Sequence, residues 1–265
     1  MTVPHFIIDS PILSKPGDHI DLELNEAIIA HLDTLRMSVG QRLMLIDRPG
    51  HAYEIQLACT PNKKDRKIQG LILAESSSER TVDLTLVQGI STSDRMDQTI
   101  RQATELGVSR IVPFESERSE VRLVDATRLK KQSRWQRIAI AAAEQSAQFW
   151  YPEVVYPLRI DAVNNYLKGF DLILFFWEEG TISLSKVLHE HRQIFYRSAK
   201  MSEDKMPRIT VLIGPEGGFS EAESRRFVEF GAREVSLGPS ILRTETAAVV
   251  ACTLVLYQLG ALGGS

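Results

Sequence analysis

The chain of 265 residues has only two cysteines, Cys59 and Cys252, far apart and in apolar surroundings. That excludes a disulfide framework and any C-x-x-C pattern, and it fits a reducing cytoplasm, the expected compartment. No Gly-x-Gly occurs anywhere, and no Gly-Lys-Ser/Thr follows a strand pattern, which removes the dinucleotide and P-loop fingerprints. The Gly-x-Ser-x-Gly elbow of serine hydrolases is also missing. His189-Glu190-His191 lacks the i, i+4 spacing of a helical zinc pair, so no metal is expected. No apolar run approaches the length of a membrane span, and the N-terminus is polar and proline-bearing, so neither anchor nor signal peptide is expected. Excess charge is slight, −3 at pH 7 with a pI near 6.1, so any contact with nucleic acid must be local.

What remains is a composition of 43% hydrophobic and 25% charged residues, ordinary for a globular protein with room for two modest domains. From Val3 to about Glu75 the pattern is one of short strands: His5 to Asp9, His19 to Leu24, Arg42 to Asp47, Ala52 to Ala58 and Ile68 to Ala74. A helix from about Asn25 to Leu35 interrupts them, and together they predict a small barrel over residues 1–75. The polar run Glu75-Ser76-Ser77-Ser78-Glu79-Arg80 reads as a linker, placed at 76–81. An α/β domain follows over 82–265. It opens with strand Val82 to Gln88, helix Asp94 to Leu106 and strand Arg110 to Phe114. Next come a long helix from about Ala126 to Phe149, strand Val154 to Tyr156 and helix Ala162 to Leu167. Strand Leu172 to Phe176 is apolar throughout, which predicts a sheet covered on both faces. A helix over Ile182 to His191 and a charged surface loop over Arg197 to Pro207 complete the middle of the chain.

The chain is organised around Arg208 to Thr246. Ile209 to Ile213 is a β-branched run, Gly214-Pro215-Glu216-Gly217-Gly218 a breaker cluster, and Ser220-Glu221-Ala222-Glu223 a capping box that opens a helix stopped by Gly231. The plan then repeats. Glu234 to Leu237 is a strand, Gly238-Pro239-Ser240 turns the chain, and Thr244 is placed to cap a long helix reaching Leu259. In an open α/β sheet ligands sit at such strand ends, so two Gly-Pro turns from successive strands predict two walls of one pocket. Gly217 is expected to need a left-handed backbone, which a β-branched residue adopts only at a cost. Trp177-Glu178-Glu179, after the apolar strand, lies where a third wall would fall, although a plain polar turn is the commoner meaning of such residues.

Leu212-Ile213-Gly214-Pro215-Glu216-Gly217-Gly218-Phe219-Ser220, with Leu237-Gly238-Pro239 and Ile241-Leu242-Arg243-Thr244-Glu245-Thr246-Ala247, resembles the RsmE family. These are small-subunit rRNA uridine-N3 methyltransferases of the SPOUT superfamily. Further matches are Asp94-Arg95-Met96, Ala103 to Val108, Pro113, Ser116-Glu117-Arg118-Ser119, Arg134-Trp135 and Ala143-Glu144-Gln145-Ser146. The resemblance implies an α/β fold: a C-terminal, trefoil-knotted SPOUT methyltransferase domain preceded by a PUA-like RNA-binding barrel. It also implies S-adenosylmethionine as cofactor, 16S rRNA as substrate and a homodimer. Carried onto this sequence, the cofactor-binding residues are Leu212, Gly214, Pro215, Glu216, Gly217, Leu237, Gly238, Ile241 and Leu242. His5, Gln88 and Ser240 depart from the family pattern.

Arg243 is the leading catalytic candidate, because a guanidinium at a helix mouth has no helix-dipole reason to be there. Methylation of uridine N3 requires loss of an imide proton, and a cation near O2 or O4 stabilises the resulting anion. Glu245, the second catalytic candidate, and Glu216 are both placed to accept that proton, and sequence alone does not choose between them. Between Arg118 and Arg137 stand seven basic and two acidic residues, a local charge of +5 in an acidic chain. A basic helix face is more often merely solvated, but an RNA substrate gives it a partner. The RNA-binding candidates are Arg36, Arg95, Arg118, Lys130, Lys131 and Arg134. Trp135 reads as core. The final helix from Ala247 to Tyr257 is apolar all round and needs cover on more than one face, which suits a dimer or a central position in a monomer's core. Two rival readings stand beside an N3 methyltransferase: a non-catalytic RNA-binding ribosome assembly factor, and a SPOUT methyltransferase acting on a different RNA.

Overall fold

A computed structural model describes residues 3–61, 64–180, 182–191 and 206–262. The chain divides into two compact units, Met1–Glu79 with Ala143–Trp150, and Arg80–Ala142 with Tyr151–Ser265. Most of the charged surface loop expected over Arg197 to Pro207 lies outside the described residues.

The first unit contains β1 (His5–Ile7), β2 (His19–Glu23), α1 (Glu26–Thr34), β3 (Arg42–Arg48), β4 (His51–Leu57) and β5 (Lys67–Ser77). The five strands form one sheet in the order β1-β3-β4-β5-β2, with β1 and β3 parallel and the other pairs antiparallel. Phe6, Leu32, Leu43, Leu45, Ile55 and Ile68 fill its core. The Asn25 side chain caps α1 by accepting the Ile28 N–H at 2.9 Å, which satisfies one of the donors a helix start leaves open. Ser76 and Ser77, expected in a linker, continue β5 instead, paired with Ala52 and His51.

The second unit contains β6 (Asp83–Gly89), α2 (Ser93–Glu105), β7 (Arg110–Glu115), α3 (Asp125–Gln145), β8 (Glu153–Val154), β9 (Leu158–Arg159), α4 (Ile160–Tyr166) and β10 (Leu172–Phe176). A helix α5 follows over 184–191, then β11 (Arg208–Ile213), α6 (Glu221–Glu229), β12 (Arg233–Val235) and α7 (Thr244–Gln258). The last residues of α3, from Ala143, belong to the first unit. α3 ends four residues before the expected Phe149, because Ala147 takes a left-handed φ of 55°. Gln148 N–H then reaches back to the Ala143 carbonyl at 3.0 Å, a Schellman-type stop built without glycine.

The sheet of the second unit is parallel throughout, in the order β12-β10-β11-β6-β7-β8, with β9 also against β7. Alternate residues of each central strand face opposite cores. Leu84, Leu86, Leu174, Val211 and Ile213 meet α2, α3, α5 and α7, while Val87, Phe175 and Leu212 meet α4 and α6. This explains the unbroken apolar runs, since a strand covered on both faces has no polar side. After β12 at the sheet edge, α7 returns to pack on α2, β11 and β6. Among the described residues, no helix is long and apolar enough to cross a membrane.

Candidate active site

The turn after β11 is shaped by three separate constraints. Gly218 has a φ of 67°, a left-handed backbone that favours glycine, and its N–H donates to the Pro215 carbonyl at 2.9 Å. Gly217 is not left-handed, contrary to expectation. Its requirement is steric, because a Cβ there would lie 2.7 Å from the Arg118 carbonyl oxygen. Phe219 anchors the turn from below, edge-on to Phe175 at 4.8 Å and to Phe227 at 5.7 Å between centroids.

The capping box is present, and it reaches beyond its own helix. Glu223, fully buried, accepts the Ser220 N–H at 2.8 Å and the Ser116 hydroxyl at 3.0 Å on Oε2, and the Glu117 N–H at 2.8 Å on Oε1. The segment from Ser116 to Ser119 is thus fastened to the glycine turn, which sets the Arg118 backbone against Gly217. Sequence indicated the cap but not this second task.

In the second turn Gly238 has a φ of 113°, and its N–H donates to the Ser236 hydroxyl oxygen at 3.2 Å. Arg243, not Thr244, holds the N-cap position of α7, and its side chain makes no cap bond. The Thr244 hydroxyl instead donates to the Gly214 carbonyl at 2.6 Å and accepts from Gln88 Nε2 at 2.9 Å. Gln88 Nε2 also donates to the Gly89 carbonyl at 3.0 Å. One buried network therefore joins the end of β6, the first turn and the start of α7.

Between the turns lies a cavity of about 520 Å³. Since β10 sits between β12 and β11 in the sheet, its end at Phe176, Trp177 and Glu178 supplies the wall between them. Gly214, Pro215, Glu216, Gly217, Leu237, Gly238, Ile241 and Leu242 all line the cavity, and so do Arg95 and Arg243. Leu212 does not line it. Strand alternation turns its side chain into the core with Val87, Phe114 and Phe175. Glu245 is also outside the lining and only 7% exposed, with Oε2 3.9 Å from Arg95 Nε. Trp177 and Glu178 line the cavity as the third wall the sequence offered beside the plainer reading of a polar turn, while Glu179 is not in the lining.

Glu216 and Arg95 form an ion pair at 3.1 Å, and Glu216 Oε1 also accepts the Thr92 N–H at 3.0 Å. Burial alone would raise the Glu216 carboxyl. The backbone donors of Thr92 and of Glu216 itself, with the Arg95 charge, outweigh it and hold the pKa below its ordinary value. Glu216 is an ionised acceptor at neutral pH.

The basic run divides into structural and free members. Arg128 is buried and pairs with Glu115 at 2.6 Å, Arg122 donates to the Ser116 and Glu117 carbonyls, and Arg134 grips both oxygens of Asp97. Lys130 and Arg118 are exposed, and the Lys131 ammonium lies 6.0 Å over the Trp135 ring. Trp135 itself is core, as expected, at 1% exposure. Arg36, in the first unit, is exposed just after α1 with a φ of 53°. No group of three or more His, Cys, Asp or Glu side chains is arranged to hold a metal among the described residues. Cys252 is buried, which pushes its thiol up to about 12 and leaves it unreactive.

Residues 78–256 match the family model described as an RNA methyltransferase domain. Ribosomal RNA small subunit methyltransferase E of Bacillus subtilis (strain 168) is 29% identical over 261 residues, covering 97% of this chain and 94% of that protein. The protein of the same name from Aquifex aeolicus is 32% identical, over 89% of this chain and 93% of its own. Among solved structures, the Neisseria gonorrhoeae methyltransferase E bound to S-adenosyl methionine is similar with a TM-score of 0.79 and 29% identity, covering 97% of this chain and 98% of that one. By the matched domain and by relatives that align along most of its length, the chain belongs to the RNA methyltransferase family, among the ribosomal RNA small subunit methyltransferases E.

Proposed function

We propose that this chain transfers a methyl group from S-adenosylmethionine to N3 of a uridine in 16S rRNA of the small ribosomal subunit, in the cytoplasm. The cavity between the two glycine turns carries this reading. Its volume falls within the range of about 300–1,000 Å³ usual for small-molecule sites. Phe176, Trp177, Leu237 and Leu242 offer apolar wall, and the turns offer backbone groups. These features fit S-adenosylmethionine, held by Gly214, Pro215, Gly217, Leu237, Gly238, Ile241 and Leu242, with Leu212 supporting the turn from beneath.

The cofactor supplies a methyl group on a positively charged sulfur. Arg243, exposed at the cavity, stabilises the negative charge that builds on uracil as the N3 proton passes to solvent water. Glu245 acts from behind the lining by fixing Arg95. Placement and electrostatics suffice for this chemistry, without a covalent enzyme intermediate. Arg118, Lys130 and Lys131 bind RNA phosphate, with Arg36 and a PUA-like first domain over residues 1–75 as a second RNA surface.

The active unit is a homodimer paired through the second domain. Tyr257, 65% exposed, and Leu254, 43% exposed, lie on the outer face of α7 and call for cover. A chain carrying Arg243→Ala mixed with one carrying Gly217→Val should regain partial activity if sites are completed across the interface; none is regained if each chain works alone.

The function is tested by mass mapping of 16S rRNA from cells with and without the gene. One N3-methyluridine should vanish with the gene and return with the wild-type copy, but not with a Gly217→Val copy. An unchanged modification pattern contradicts the proposal.

A further inference from the structure

Most polar side chains of the cavity wall are already engaged. The Thr244 hydroxyl is spent on the Gly214 carbonyl and the Gln88 amide. The Ser236 hydroxyl accepts the Gly238 N–H at 3.2 Å and donates to the Gly238 carbonyl at 3.3 Å. One oxygen of Glu216 is taken by the Thr92 N–H and Arg95, and the other is buried. Glu178 differs. It is exposed, it borders the cavity, and it makes no hydrogen bond or ion pair with the described residues. Its position follows from the register of the sheet. Phe176 stands opposite Ile213 on one side and Val235 on the other, so β10 leaves the sheet level with both strands that carry the glycine turns. Glu178, two residues on, is therefore an open carboxylate between those turns, at the carboxyl end of a parallel sheet, where such folds bind their ligands.

We propose that Glu178 holds the ribose of S-adenosylmethionine, one carboxylate oxygen to each of the 2′- and 3′-hydroxyls, and so selects for an intact ribonucleoside; this rests on the cofactor reading above. The cofactor offers three kinds of donor. The adenine amino group stands beside the N1 lone pair, which would face the second carboxylate oxygen, acceptor against acceptor. The α-ammonium stands beside the cofactor's own carboxylate, which would repel another anion. The ribose presents two hydroxyl donors on neighbouring carbons and on one side of the ring, and the two oxygens of one carboxylate answer both without conflict. Dinucleotide-binding folds reach the same solution, where an acidic side chain beyond the glycine turn accepts a ribose hydroxyl. In this chain the task falls to the end of the strand between the two turns.

Glu178→Gln in the full chain tests this with almost no change of shape, binding being measured by calorimetry. Three probes are titrated: S-adenosylmethionine, its 2′,3′-dideoxy analogue, and 5′-methylthioadenosine, which keeps both hydroxyls but has neither ammonium nor sulfonium. The variant should bind S-adenosylmethionine about 10-fold more weakly than wild type, the loss of one charged hydrogen bond. Wild type should bind the dideoxy analogue at least about 10-fold more weakly than the cofactor, a penalty that should shrink to within about threefold in the variant, because the partner of the hydroxyls is gone. 5′-Methylthioadenosine should show the same roughly 10-fold gap between the two proteins. Without ligand the two should unfold at the same temperature, since Glu178 holds no other described residue in place. Equal affinity of the two proteins for S-adenosylmethionine overturns the proposal. So do losses that simply multiply, which would put the hydroxyls elsewhere. A gap seen with S-adenosylmethionine but not with 5′-methylthioadenosine overturns it too, by assigning Glu178 to the cofactor's positive charge. Wild type that binds none of the three overturns the cofactor reading itself, a result visible without any variant.

Discussion

The Thr244 hydroxyl donates to the carbonyl of Gly214 at 2.6 Å, tying the first residue of α7 to the first residue of the turn after β11. Gln88, fully buried, closes the link from β6. The first turn is therefore braced by β6 and by the helix that follows the second turn, and a defect at this joint reaches all three.

Thr244→Val keeps the shape of the side chain but leaves the Gly214 carbonyl and the Gln88 amide short of a partner. We expect a loss of about 1–3 kcal/mol of stability. Affinity for S-adenosylmethionine should fall by roughly tenfold, the equivalent of about 1.4 kcal/mol. Thr244→Ser, which retains the hydroxyl, should sit near wild type in thermal unfolding and in calorimetry. Equal behaviour of the two variants would deny the hydroxyl its part.

Gly217→Val should abolish cofactor binding for a steric reason, since its Cβ would meet the Arg118 carbonyl oxygen at 2.7 Å and push the Ser116–Ser119 segment off the turn. Circular dichroism should show a folded chain, and titration no binding. Retained affinity would mean that this turn does not border the cofactor.

The sequence made the local parts of this site readable and left its assembly hidden. The capping box at Ser220 and Glu223 and the two glycine turns are short-range patterns, and they occur where the residues indicate. The reach of Glu223 to Glu117 spans 106 positions, and nothing near either residue announces it. Leu212 and Glu245 became candidates by standing beside motif residues, yet strand alternation and helix geometry turn their side chains elsewhere. Trp177 and Glu178 were legible as a third wall after an apolar strand, but their place between the other two walls follows from β10 lying between β12 and β11, a fact of strand order. The basic run shows the same limit, for composition did not separate Arg128, buried on Glu115, from Lys130 in solvent.

Lys130→Glu with Lys131→Glu should weaken RNA binding and flatten its salt dependence, the logarithmic slope falling by roughly one for each phosphate that no longer meets a lysine. Cofactor affinity should not change. Arg134 is best left out of such a variant, because its grip on Asp97 is structural and its reversal would cost stability as well. RNA affinity indifferent to the two lysines would return them to the solvated surface.

The Glu216 carboxyl is held below its ordinary value, so its ionised form stabilises the fold. That contribution is complete above the unfolded-state value of about 4.3 and is lost as pH falls through the lower folded-state value. The gap in unfolding temperature between wild type and Glu216→Gln should be widest near neutrality and close below about pH 4. A gap constant across that range would contradict the Arg95 and Thr92 contacts as its cause.

The most direct test of the central claim is methyl transfer by the purified protein. Small ribosomal subunits from cells lacking the gene are incubated with isotopically labelled S-adenosylmethionine, and the 16S rRNA is digested and analysed by mass spectrometry. We expect label at N3 of one uridine with wild-type protein and none with Gly217→Val. Label on another base, or none with the wild-type protein, would contradict it.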